Sequence, residues 1–134
     1  MRRLDAAVLI GAAACVCLFA AGCRSAEDKA RDERSSASSW CATLRETTLD
    51  LRSRRIPARF ARDTFRQARE ELSDELARLR KLSADSTAAA DAAPSVAEAA
   101  GIASSLESDP AADVENRAAR LGALAALLSR GGGS

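Results

Sequence analysis

The chain of 134 residues contains no histidine and no tyrosine, one tryptophan, three phenylalanines and only two lysines. The absence of imidazole removes the commonest side-chain base near neutral pH and the commonest nitrogen ligand for metals, and the absence of tyrosine removes the phenolic acid. No phosphate-cradling glycine loop, calcium loop, CxxC pair or GxSxG turn is present. Glu70, Glu71, Asp74 and Glu75 form the densest acidic group, but carboxylates spaced i,i+4 are the usual make-up of a solvated helix face. Asp74 also precedes Arg78 by four, the order that favours a surface pair. These absences point away from an enzyme, and nothing in the pattern requires a cofactor or a metal.

Strict apolar–polar alternation and internal repeats are missing too, which disfavours strands and repeat architectures. What is abundant is alanine: the chain is 47% hydrophobic, but 32 of its residues are alanine. Alanine lets helices approach closely and leaves little room for an enclosed pocket. About 17 large apolar side chains remain to be buried, each contributing about 1.5–3 kcal/mol before chain entropy is subtracted.

Met1, Arg2 and Arg3 precede an uncharged apolar run from Ala6 to Gly22, which closes with Ala20-Ala21-Gly22-Cys23. A basic start, an apolar stretch and small residues before a cut are the parts of a secretory signal. Residues 1–23 resemble the lipobox signal of bacterial prolipoproteins, in which Leu, then Ala or Ser, then Gly or Ala precede the cysteine. Here Ala20 occupies the leucine position, with Leu18 and Phe19 just upstream. The resemblance implies cleavage between Gly22 and Cys23, diacylglycerol on the Cys23 thiol, acylation of the new N-terminus, and a protein lipid-anchored at the extracytoplasmic face of a bacterial membrane. The alternative is an uncleaved transmembrane anchor, for which 17 residues followed at once by Arg24 lie at the lower edge of the spanning range.

Removing residues 1–22 discards Arg2, Arg3 and Asp5, which leaves 18 basic and 18 acidic side chains. Cys41 is then the only free thiol, either buried as a small hydrophobe or paired between chains; adjacent Trp40 favours burial.

Residues 24–39 mix charge with serine and carry no large apolar side chain, so residues 23–39 read as the lipidated cysteine and a solvated tether. Trp40, Leu44, Thr47 and Leu51 share a stripe that predicts a first helix over 40–55, with Ser38 and Ser39 as candidate caps. Ile56-Pro57 breaks it. A second helix over 57–83 carries the strongest period in the chain, with Ala61, Phe65, Ala68, Leu72, Leu76, Leu79 and Leu82 on one face and Glu75 interrupting the seam. Residues 84–93 read as a linker or frayed extension, Pro94 and Ser95 as the start of a short third helix, and Asp109-Pro110 as the start of a fourth that ends at Arg130 with Gly131 as a left-handed cap. The expected fold is all-α, a small bundle of three to four antiparallel helices over 40–130 after a flexible tether, with a disordered tail at 131–134.

Charge is divided unevenly along this bundle. Seven arginines and one acid lie between Arg52 and Arg69, whereas Leu82 to Asn116 holds seven acids and no base. On the second helix Arg59, Arg62, Arg66 and Arg69 form a basic flank beside the apolar face, a candidate anion-binding ridge. The blocks can instead pair with each other inside one chain. A mature chain of zero net charge without interleaved aromatics or a recognisable helix-turn-helix does not fit nucleic-acid binding. The sequence therefore predicts a lipid-anchored binding or scaffolding component of the bacterial cell envelope, held to the membrane by Cys23 and acting on an envelope protein. The alternative is a module whose ridge contacts anionic phospholipid or wall polymer.

Overall fold

The computed structural model describes residues 24–131, all of whose regular structure is helical. The expected signal segment with Gly22, the lipidation candidate Cys23 and the expected disordered tail at 132–134 lie outside the described residues. Four helices follow one another: α1 (Ala26–Arg52), α2 (Ala58–Leu82), α3 (Thr87–Ser108) and α4 (Val114–Arg130). Short turns reverse the chain each time, giving an up-down bundle. The helices pack in the ring α1, α2, α3, α4, with α3 also touching α1 across the middle, whereas α2 and α4 do not meet. Among the described residues, no helix is long and apolar enough to cross a membrane.

The expected tether is helix. Ser25 caps α1, its Oγ accepting from the Asp28 N–H at 3.1 Å, and Glu27 and Asp28 occupy the first turn where the helix dipole favours negative charge. Residues 26–39 then bury Ala30 and Ala37 completely, in step with Cys41, Leu44 and Thr48. Spacings of seven, four, three and four place these residues on one seam. The seam escapes a search for large apolar residues because its upper half is alanine. Ser38 caps nothing; its Oγ donates to the Ala125 carbonyl of α4 at 2.8 Å. α1 stops three residues short of the expected end, at Arg52.

α2 keeps within a residue of its expected bounds, and Ala61, Phe65, Ala68, Leu72 and Leu79 are fully buried. The expected linker at 84–93 is largely helix as well. Ser86 caps α3 by accepting from the Ala89 N–H at 3.0 Å, and Ala89 and Ala92 enter the core. Pro94 lies inside α3 rather than opening it. It withholds one N–H from the ladder, but Pro94 and Ala90, whose carbonyl loses that donor, both face solvent, where water can substitute.

Asp109 ends α3 instead of starting α4: its N–H donates to the Ser105 carbonyl at 2.9 Å. Pro110 to Asp113 form the turn, and α4 begins one turn later at Val114. Gly131 is right-handed (φ −72°), not the left-handed cap expected; its missing side chain leaves space for the Arg34 guanidinium.

The core is rich in alanine. Its buried apolar residues are nine alanines, seven leucines, Phe65, Val96 and Cys41, with Trp40, Leu51, Ile56, Leu76, Leu82 and Ile102 packed partly buried against them. Close helix approach through alanine replaces side-chain bulk, so packing tolerates little added volume. Ala37→Glu is accordingly expected to cost at least about 3 kcal/mol by burying an unpaired charge, while Ser35→Glu on the exposed face of the same turn changes stability by less than about 0.5 kcal/mol. Urea denaturation of the two variants checks this, and equal stability would return residues 24–39 to a tether.

Candidate interaction site

The basic ridge divides in two. Arg69 is engaged internally, its Nε 2.6 Å from Glu107 Oε2 on α3, with Glu70 at 3.8 Å on its own helix. Arg66 bonds Asp63 at 2.7 Å. Arg59 and Arg62 are exposed and form no ion pair with the described residues. The four therefore differ in occupancy, two engaged by acids and two not.

Much of the basic and acidic blocks is neutralised within the chain. Arg52 reaches Glu115 at 2.5 Å, tying the end of α1 to the start of α4, and Arg120 grips Glu98 with both Nε and Nη2, at 2.5 and 2.7 Å. The Arg120 fork holds the Glu98 carboxyl below its ordinary range, chiefly through the hydrogen bond. These are exposed contacts that solvent screens, so they contribute little to stability.

Arginines are dense at one end of the bundle, where Arg54, Arg59 and Arg62 have no acid partner among the described residues; nor do Lys29, Arg80, Lys81 and Arg130 at the other end. Up-down topology brings the α1–α2 turn (53–57) and the α3–α4 turn (109–113) to the same end, opposite the chain's start. From Leu51 to Arg62 there are five arginines and no acid. The α1–α2 turn is a Schellman closure: the Arg54 N–H donates to the Leu51 carbonyl at 3.1 Å and the Arg55 N–H to the Asp50 carbonyl at 2.8 Å. This closure needs a left-handed residue, usually glycine, and Arg54 fills the position with φ 57°. Asp113 in the other turn has φ 48°, and these two are the only non-glycine positive φ values among the described residues. Beside them lies an open groove of about 660 Å³ whose apolar floor includes Leu51, Pro110, Ala111 and Val114, with Arg52, Asp113 and Glu115 at its rim. Phe60, at the start of α2, is 58% exposed. The sequence displays the arginines, but the groove depends on two turns more than fifty residues apart and has no local signature.

A second feature is internal. Glu75, expected on a solvated face, is only 1% exposed. Ser36 of α1 donates its hydroxyl to Oε1, while Oε2 has no partner. Burial raises its pKa to about 7, against the opposing pull of the Ser36 hydrogen bond; neighbouring Glu33 and Glu71 push it further up and Arg78 pulls it down. Cys41 is fully buried, as expected from Trp40, which packs half-buried against the core. Its thiol is pushed up to about 12, first by burial and then by Glu75 and Glu98, so it stays an unreactive hydrophobe at neutral pH. Neither residue lines the distal groove, so the carboxyl has no space for a substrate beside it there. Among the described residues no group of histidine, cysteine or carboxylate side chains is arranged to hold a metal ion.

Comparison with known proteins finds no match to any family model, curated protein or solved structure. Function must be argued from the residues themselves.

Glu75 carries a prediction of sign. Folded Glu75 keeps its proton to about pH 7, whereas an unfolded glutamic acid loses it near 4.5. Its contribution to stability is therefore fully present below about pH 4.5 and is lost as pH rises through 7, a change on the order of 3 kcal/mol. Glu75→Gln retains an acceptor for Ser36 without a charge. Thermal melts should show the wild type losing stability between pH 5 and 8 and the variant losing much less; a variant weaker than wild type at pH 8 would contradict the assignment.

Proposed function

We propose that the chain is a bacterial lipoprotein, anchored through Cys23 at an extracytoplasmic membrane face, whose helical bundle serves the cell envelope by binding or scaffolding. The observation that carries this reading is the signal-like segment ending at Cys23, set directly against a helix capped by Ser25. With no tether between them, the bundle stands on its anchor. α1 rises about 40 Å over its 27 residues, so in a bundle held upright on the anchor the α1–α2 and α3–α4 turns would lie farthest from the lipid.

That geometry bears on the second reading, contact through the basic ridge. Arg59 and Arg62 are exposed and lie at the distal end, which in an upright bundle would favour an anionic wall polymer over headgroups of the anchoring membrane. Arg66 and Arg69, already engaged by Asp63 and Glu107, contribute less.

Replacing Cys23 with alanine tests the anchor. The variant is expected to accumulate as unprocessed precursor or to leave the membrane fraction, while metabolic labelling with palmitate marks the wild type alone. A Cys23→Ala product that still sediments with membranes, with residues 1–22 attached, would identify an uncleaved signal anchor instead.

A further inference from the structure

We infer that the groove between the start of α1 and the end of α2 holds the anionic headgroup of a phospholipid in the anchoring leaflet. The choice of a lipid as ligand rests on the lipoprotein reading proposed above, whereas the charge and shape of the groove rest on the fold alone.

The first observation is a charge balance within the lining itself. The groove, of about 280 Å³, is lined by four cations, two acids and Leu82. Both acids are engaged: Arg24 bonds Asp32, and Arg78 Nε lies 2.8 Å from Glu33 Oε1. The other two cations, Lys29 and Lys81, are exposed and form no ion pair with the described residues, so the lining carries two uncompensated positive charges. Unpaired Glu27 and Asp85 lie at the same end of the bundle but do not line the groove, and Asp28 turns to Arg31 at 3.8 Å. The larger distal groove has the opposite balance, with Asp113 and Glu115 against Arg52, and the unpaired Arg54, Arg59 and Arg62 do not line it.

The second is the kind of cation. Lys29 and Lys81 are the only lysines of the chain, against eighteen arginines, and the fold brings both to one groove from two different helices. An ammonium is a compact point charge that can meet a phosphate oxygen from many directions, and here the two arginines beside it are already held by carboxylates.

The third is place and shape. Arg24, in the lining, directly follows Cys23, so acyl chains on that thiol begin one residue from the groove. Cations set beside an anchor lie where the surface potential of anionic lipid is strongest. The rest of the lining is mostly apolar, supplied by half-buried Leu82 and the methylene stems of the long charged side chains. Its volume falls below the range of about 300–1,000 Å³ usual for small-molecule pockets. It suits one end of a molecule whose remainder lies elsewhere, as the acyl chains of a phospholipid lie in the bilayer.

The first arm of the test uses the mature lipidated chain in nanodiscs of phosphatidylcholine, alone or mixed with phosphatidylglycerol. Because the chain has two lysines, both in the groove, their acetylation by an amine reagent, read by mass spectrometry, reports on this site alone. Phosphatidylglycerol should slow both at least about tenfold, whereas an Arg130→Lys reporter at the same end but outside the groove should slow by about threefold, the effect of a surface potential of about −30 mV. The second arm titrates the mature chain prepared without acyl groups, which retains all four helices, with monomeric dihexanoyl-phosphatidylglycerol, dihexanoyl-phosphatidylcholine, glycerol phosphate and inorganic phosphate. The phosphatidylglycerol should bind at least about tenfold more tightly than the other three. Lys29→Gln combined with Lys81→Gln should weaken it at least about tenfold without moving the melting temperature, and Arg59→Gln combined with Arg62→Gln should leave it unchanged.

Equal slowing at the reporter and at the two lysines would overturn the proposal in favour of a diffuse surface potential. Glycerol phosphate or inorganic phosphate binding as tightly as phosphatidylglycerol would make the groove a free-anion site, and phosphatidylcholine doing so would leave its charge without a role; either result overturns the proposal, as does unchanged binding in the double lysine variant. Failure of the lipoprotein reading shows separately, as a wild type that takes up no palmitate while its unacylated form still binds phosphatidylglycerol.

Discussion

The bundle depends on one seam, the small-residue face of α1. Ala30, Ala37, Cys41, Leu44 and Thr48 are buried along its length, and α1 contacts all three other helices, as α3 also does. A larger residue at Ala30 or Ala37 would hold the neighbouring helices apart, because close-packed interiors accommodate added methylenes only by straining their surroundings. The same small side chains leave the backbone and its serines close enough to bond across helices, as Ser38 does to Ala125. Thr48, also on the seam, satisfies its own hydroxyl against the Leu44 carbonyl at 2.6 Å, so its burial leaves no donor unpaired.

Surface ion pairs tie the helices to one another: Arg52, Arg69 and Arg120 meet Glu115, Glu107 and Glu98, joining α1 to α4, α2 to α3 and α4 to α3. Arg52 and Arg69 of the basic block thereby meet acids of the acidic block, which shows how a chain of nearly balanced charge, 20 basic against 19 acidic residues, can carry such opposed blocks. Beneath them Glu75 is the exception, a carboxyl placed where the α2 seam would ordinarily hold leucine. Burial makes its proton, rather than a counter-ion, the means of neutralisation.

The all-α class, the bounds of α2 and the burial of Cys41 were legible in the sequence because large residues such as Phe65, Leu72 and Leu79 announce a helical period. The first fourteen residues of α1 and the first turns of α3 were not. Their buried residues are alanines, which hydrophobic periodicity weighs lightly, although Ser25 followed by Glu27 and Asp28 was a start signal available to be read. Pro94 and Asp109-Pro110 misled in the other direction: Ser86 caps α3 two turns before Pro94, and Pro110 falls in the turn, with α4 starting at Val114 after Asp113. Of the basic ridge, position along α2 was legible and occupancy was not: whether an arginine meets an acid depends on α3, far away in sequence. Glu75 was misassigned for the same reason, since its surroundings are built by Ser36 and Glu33 of α1.

Arg54 has a further consequence for how the α1–α2 turn meets other molecules. Two backbone hydrogen bonds fix its main chain as part of the fold, so the guanidinium projects from a rigid mount. The conformational freedom of that backbone is spent once, when the helix closes, and is not charged again when an anion arrives. Only side-chain rotamers then need to be ordered, about 2 kcal/mol for an arginine at most. A cation in a flexible loop would add the backbone term to every encounter; the turn at the end of α1 confines the loss to the side chain.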